Sequence, residues 1–329
     1  MAMLYPLKFK PVFKDKIWGG QKIKTVLGMD YGNLPNCGEA WLVSGVEESQ
    51  SVVENGFLAG NELNELVEVY MGELVGEKIF EKHGNEFPLL IKVIDSNDWL
   101  SIQVHPDDEL AKKRGLGHGK TEMWYILEAD KDAELISGFN RKMDKDSYKK
   151  HLEDNTLKEV LHTVKVTKED VFYIPAGRVH ALGPGCLLAE IQQTSDTTYR
   201  IFDWDRIDAA GMKRELHTEE ALDAIDFSET KECKTEYENK LNRTVTLIDS
   251  PHFVTRILSS DQPVIKNISE LDSFIVYMAV EGSCVFKYEG GELGIKMSET
   301  ILVPASVGNL IIEPNGEIKL LEVFMDPEF

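Results

Sequence analysis

The chain has 329 residues, with 36 Lys and Arg against 57 Asp and Glu, giving a formal net charge of -21. Its 42% hydrophobic and 28% charged residues match a globular protein, so disorder, collagen and long coiled coil are poor fits. The negative excess repels phosphate backbones and anionic lipid, which argues against a nucleic-acid or membrane-surface role.

No stretch reaches the roughly 18 apolar residues of a membrane span, and the longest uncharged apolar run, 274–280, suits a buried strand. Cys37, Cys186, Cys233 and Cys284 are far apart and form no CxxC pair. A reducing cytoplasm is the simplest setting for such thiols.

In chain order, a first helix is expected after Asn61, a candidate N-cap, with Leu63, Leu66, Val67 and Tyr70 on one face. Strands are expected over 89–94, 100–104, 122–127, 171–174 and 186–192. A second helix is expected from Thr156, where Thr-Leu-Lys-Glu has the capping-box spacing, and a third after Thr218, whose Glu219 and Glu220 favour a helix amino end. The polar segment 227–242 reads as a linker or exposed edge. Beyond it, short strands over 253–258, 273–280, 284–288, 301–303, 309–312 and 318–324 suggest a small antiparallel sandwich or barrel.

The chain is thus expected to be mainly β. An internal echo, Val171-Phe-Tyr-Ile-Pro-Ala-Gly against Thr300-Ile-Leu-Val-Pro-Ala-Ser, points to a duplicated barrel. Five residues past each Pro stand His180 and Asn309, so only the first copy would keep a metal ligand. The expected division is 1–226 as a catalytic metal-binding domain with helical insertions, 227–242 as linker, and 243–329 as a metal-free carboxy-terminal domain.

Alternation puts Gln103 and His105 on one face at the end of an apolar strand. Glu122 opens another strand, and His180 follows a tight turn. Two imidazoles, a carboxylate and an amide oxygen suffice for a borderline metal with open positions for substrate. On spacing alone the plainer account stands beside this one: a His near a turn and a Glu at a strand end are often only solvated. His83, His151, His162, His217 and His252 lie in polar or helical contexts where that plainer account is simpler.

Several segments resemble a known family: Trp18-Gly-Gly20, Gly38-Glu-Ala-Trp41 with Ser44, Phe87-Pro-Leu-Leu-Ile-Lys-Val-Ile94 and Leu100-Ser-Ile-Gln-Val-His-Pro-Asp-Asp108. Lys120-Thr-Glu-Met-Trp124, Pro175-Ala-Gly-Arg-Val-His-Ala-Leu182 and Glu190-Ile-Gln-Gln-Thr-Ser-Asp-Thr-Thr-Tyr-Arg200 continue it. The sequence resembles the type I mannose-6-phosphate isomerases (phosphomannose isomerases), in their shorter bacterial form, densely over about residues 5 to 206 and loosely beyond. The resemblance implies cupin-like jelly-roll barrels, one Zn2+ per chain held by Gln103, His105, Glu122 and His180, and interconversion of mannose 6-phosphate and fructose 6-phosphate. It also places Glu190, Arg200, Asp196 and Lys120 in the active site. Two departures bear on the phosphate-gripping loops: Lys120 precedes Thr121-Glu122 rather than Pro-Glu, and Arg200 is followed by Ile-Phe-Asp-Trp-Asp-Arg206.

Such an isomerisation moves a proton between neighbouring carbons through an enediol, a step for which either Glu190 or Lys120 is a candidate base. Arg200 offers a fork of donors for phosphate or enediolate oxygens, with a structural pairing to Asp203 or Asp205 as the alternative. At net charge -21, an anionic sugar phosphate needs a local positive field, which Lys120, Arg178 and Arg200 would supply. Trp18, beside two glycines, is the tryptophan best placed to cover a pocket. An iron-dependent cupin oxygenase and a non-catalytic sugar-binding cupin are the alternatives, disfavoured by the amide ligand and by the combination of a metal set with an acid–base pair. No helix-turn-helix, basic stripe or obligate protein partner is evident.

Overall fold

The computed structural model describes residues 3–207 and 211–328. Strand makes up 37% and helix 16%, so the chain is mainly β with few helices. Among the described residues, no helix is long and apolar enough to cross a membrane.

Two compact units divide the chain, and they are not successive stretches of sequence. One comprises Phe13–Ala40 and Lys92–Thr235; the other comprises the amino-terminal residues through Val12, Trp41–Ile91 and the chain from Glu236 onward. The segment 227–242 carries isolated bridges (Phe139 with Glu229, Phe172 with Lys234) and buries Cys233.

Four sheets are formed among the described residues, each open in its strand order. A six-stranded sheet runs Val12–Lys14, Glu39–Val43, Leu89–Ser96, Cys186–Gln193, Glu122–Ala129, Val171–Ile174. A five-stranded sheet runs Tyr199–Phe202, Ile102–Val104, His180–Leu182, Glu134–Phe139, Leu161–Lys165, wholly within the first unit.

Alternation in that second sheet assigns its faces. Ile102, Val104, Ile136, Ala181, Tyr199 and Ile201 join an apolar cluster with Tyr148, Leu157, Val160 and Ala221, which come from the helical segments Lys145–Glu153, Leu157–Val160 and Thr218–Ala224. The intervening positions therefore take the opposite face, where Leu135 and Leu182 meet Trp124, Ile126, Phe172 and Leu188 of the six-stranded sheet. Gln103, His180 and Arg200 share the parity of that second set. A one-residue slip in any of these strands would move its polar residue onto the helix-covered side.

The other unit contains two further sheets, Arg243–Asp249, Val254–Ser260, Ile318–Phe324, Ile275–Glu281, Thr300–Val303 and Val264–Asn267, Asn309–Pro314, Ser283–Tyr288, Gly291–Lys296. Between them lies one core built on Tyr277, Phe286, Ile301, Leu310, Ile312, Leu320 and Phe324.

Two of the three expected helices form, with altered ends, and the other shortens to a 3-10 turn. The first spans Leu63–Tyr70, and its cap is Glu62 rather than Asn61: Glu62 and Glu65 form a reciprocal capping box, while Asn61 turns its amide to Leu58 O at 2.7 Å. The second is only a 3-10 turn, Leu157–Val160, and the Thr156 hydroxyl makes no cap bond because it is engaged with His151. The third begins at Thr218, with His217 at its N-cap.

Candidate active site

Three side chains converge from different elements. Glu122 opens the strand Glu122–Ala129, His180 opens His180–Leu182, and His105 stands just past Ile102–Val104. Their ligand atoms all lie within 4.8 Å of one another, and each residue is about 1% exposed. His180 Nε2 is 3.3 Å from Glu122 Oε1, and His105 Nε2 is 3.5 Å from Glu122 Oε2. Gln103 pairs with His180 in register, its amide nitrogen 3.2 Å from His180 Nε2.

The backbone sets the imidazole tautomers. His180 Nδ1 lies 2.8 Å from Arg178 O and His105 Nδ1 lies 2.9 Å from Thr197 O. A carbonyl only accepts, so both Nδ1 atoms carry the proton and both Nε2 atoms offer lone pairs. Burial, the Lys120 charge and the neighbouring imidazole hold His105 well below the usual histidine range. Burial also lowers His180, to about 4, against the pull of the Arg178 carbonyl. Neutral lone pairs thus face a carboxylate at short range. His105 Nε2 and both Glu122 oxygens are buried without a hydrogen-bond partner. Lys120 offsets only part of the cost of this arrangement in a dry interior, and the donor set fits a further, divalent cation.

Beside this group lies a cavity of about 270 Å3 lined by Gln103, His180, Lys120, Glu190, Trp18, Asp196, Arg200, Lys92, Glu39, Lys16, Ser101 and Arg214, among others. Of the residues singled out in the sequence, the structure brings together all but Arg178. That guanidinium donates to Tyr173 O at 3.0 Å and does not line the cavity, although the Arg178 carbonyl orients His180. Lys120 Nζ is 3.3 Å from Glu122 Oε2. Burial and the Glu190 charge raise the Glu122 carboxyl, with Lys120 and Lys92 opposing them.

Two residues gain a place that sequence reasoning did not give them. Lys92 Nζ lies 2.8 Å from Glu190 Oε1, both nearly inaccessible, and Trp124 Nε1 donates to Glu190 Oε2 at 3.0 Å. Burial would lower the Lys92 ammonium, but Glu190 and Glu39 outweigh it and hold the group above its ordinary range. The signal was available: a lysine inside an eight-residue buried strand must find a counter-charge. The other is His217, whose backbone N–H donates to Arg200 O at 2.7 Å while its Nδ1 accepts from Arg200 N–H at 3.2 Å.

Arg200 is paired in register with Gln103, so His180, Gln103 and Arg200 stand in a row across three adjacent strands. Its Nη1 donates to Glu215 O at 2.9 Å, and its Nε is buried without a partner. Asp203 is instead held by Arg206 and Arg214, and Asp205 by Lys213.

The model of the family "Phosphomannose isomerase type I, catalytic domain" matches residues 6–163. The mannose-6-phosphate isomerase ManA of Bacillus subtilis is 42% identical over 320 residues, covering 95% of this chain and 97% of its own. The mannose-6-phosphate isomerase of Streptococcus mutans is 37% identical over 252 residues, with 76% and 78% covered. Among solved structures, a mannose 6-phosphate isomerase from Bacillus subtilis superimposes with a TM-score of 0.85 at 31% identity, covering 97% of this chain and 99% of that one. The chain belongs to the type I phosphomannose isomerases.

Proposed function

We propose that this protein is a zinc-dependent isomerase that interconverts mannose 6-phosphate and fructose 6-phosphate through an enediol. The observation that carries the metal is the meeting of two imidazole lone pairs with a buried carboxylate whose ion-pair partner among the described residues is Lys120. Gln103, His105, Glu122 and His180 would hold the ion. Once bound, it would supply positive charge for the oxygens on C1 and C2.

The chain's own groups supply the rest. Glu190, paired with Lys92 and oriented by Trp124, lines the cavity and is suited to carry a proton between the two carbons. Lys120 is the other candidate, and its proximity to Glu122 ties it to the metal group instead. Arg200 would steady charge on the developing enediolate. Asp196 and Trp18 line the cavity and would contact hydroxyls and a sugar face.

We read each pair of sheets as a jelly-roll barrel of the cupin kind, the second without metal. Four buried free thiols fit a cytoplasmic setting. No nucleic-acid, membrane or obligate protein partner belongs to this reading.

A coupled assay of mannose 6-phosphate conversion, with glucose 6-phosphate as control substrate and metal analysis of the same preparation, tests it. Turnover that survives complete removal of metal would overturn the metal-dependent reading. Equal activity on both sugars would overturn the substrate assignment.

A further inference from the structure

We infer that Arg214, clamped by Asp203, is the residue that grips the substrate's phosphate; this rests on the sugar-phosphate reading above. Arg214 lines the same cavity as His180 and Arg200. Its Nε donates to Asp203 Oδ2 at 2.7 Å and its Nη2 to Asp203 Oδ1, leaving Nη1 with no protein partner among the described residues. Arg206 holds the same carboxylate at 2.9 Å. Two guanidiniums, of Arg206 and Arg214, thus hold one carboxylate, and Arg200 lines the same cavity, in a chain of net charge -21. At this end the cavity presents Arg200 and Arg214 to an entering anion.

Position favours phosphate over the reacting carbons. The row from His180 through Gln103 to Arg200 crosses two strand spacings, about 10 Å. Arg214 belongs to the segment that returns to this row at its far end, where His217 brackets the Arg200 backbone. A sugar with C1 and C2 at the metal group carries its phosphate four carbons further on, toward this end.

The anchoring is also over-determined, as a pre-formed anion site requires. Trp204 and Asp205 both hold positive φ, 57° and 54°, which is strained for non-glycine residues. Trp204 Nε1 donates to Leu100 O at 2.7 Å, and its ring lies against Trp99 with Lys158 Nζ 3.9 Å from the ring centroid. This fixes Asp203 and, through it, the Arg214 fork. Asp203 is accordingly a positioning residue.

The test combines calorimetric titration of the metal-loaded full chain with inorganic phosphate and steady-state kinetics on mannose 6-phosphate. Wild type should bind inorganic phosphate and be inhibited competitively by it. In Arg214→Gln, phosphate affinity should fall and KM should rise, each by roughly ten- to a hundredfold, as for loss of a charge-assisted hydrogen bond. The same variant should keep its metal and hold kcat within about threefold, because the contact is equal in ground and transition states. Arg214→Lys should recover part of both losses, and Asp203→Asn should fall between. A folded Arg214→Gln protein with native phosphate affinity and KM overturns the inference, as does wild type that binds no phosphate. If Arg214→Gln does not fold, unchanged phosphate affinity in Arg214→Lys and Asp203→Asn overturns it. Phosphate binding that depends on Arg214 in a protein that fails to isomerise mannose 6-phosphate would uphold this inference and sink the proposed function.

Discussion

Lys92 and Glu190 form an ion pair removed almost entirely from water, so neither charge can be deleted alone without stranding the other. Lys92→Met should cost about 3–5 kcal/mol of stability, read as a lower denaturant midpoint, and Lys92→Met with Glu190→Gln should recover much of it. Additive losses in the double variant would mean that the two charges are not coupled. The same logic at Arg200 concerns function. Its guanidinium donates to the carbonyl of Glu215, its backbone N–H to the ring nitrogen of His217, and among the described residues no carboxylate forms an ion pair with it. Arg200→Lys keeps the charge but loses the planar fork. We expect kcat and kcat/KM to fall together by orders of magnitude with metal retained; near-native constants would remove Arg200 from the reaction.

Among the elements, Asp203 is held by charge, through Arg206 and Arg214. Burial alone would raise the Asp203 carboxyl, but Arg214 and Arg206 outweigh it and lower the group below its ordinary value. A carboxylate depressed in the folded state contributes stability above its unfolded pKa, and the contribution fades as pH falls through the folded value. The gap in melting temperature between wild type and Asp203→Asn should therefore be full near pH 7 and close as pH falls below about 4. A gap independent of pH would exclude this pairing as its source. Strands were legible in the sequence because alternation and apolar runs report burial directly: 171–174 and 318–324 were expected with the bounds they have. Helices were less so. Asp108–Arg114, capped by Asp107 and ended by Gly115 at φ 68°, carries one buried residue, Ala111, and so has no apolar stripe to read. The metal group was legible through Gln103-Val104-His105, whereas Arg214 was not: nothing local distinguishes an arginine in a polar loop, and its place comes from the tertiary fold.

The metal group ties the six-stranded to the five-stranded sheet, since Glu122 comes from one, His180 from the other and His105 from the end of a third strand. The apolar clusters on both faces of the five-stranded sheet do not depend on that tie. Without a cation, the chain should stay folded while Glu122 faces two lone pairs. An ion that binds only the folded state stabilises it by mass action, so zinc at about a hundred times its dissociation constant adds roughly 2.7 kcal/mol. Chelation should lower the melting temperature with strand content retained, and added zinc should restore it. His105→Ala and His180→Ala should each hold little metal, show almost no turnover and lose the zinc-dependent shift. In the other unit, Asn309 opens the strand Asn309–Pro314 as His180 opens its own, each following the Val-Pro-Ala or Ile-Pro-Ala turn, but an exposed asparagine there replaces the buried imidazole. Metal analysis should therefore give one ion per wild-type chain and close to none in His180→Ala. A second ion in wild type, or one that persists in His180→Ala with its thermal shift intact, would place binding outside the His105, Glu122 and His180 group.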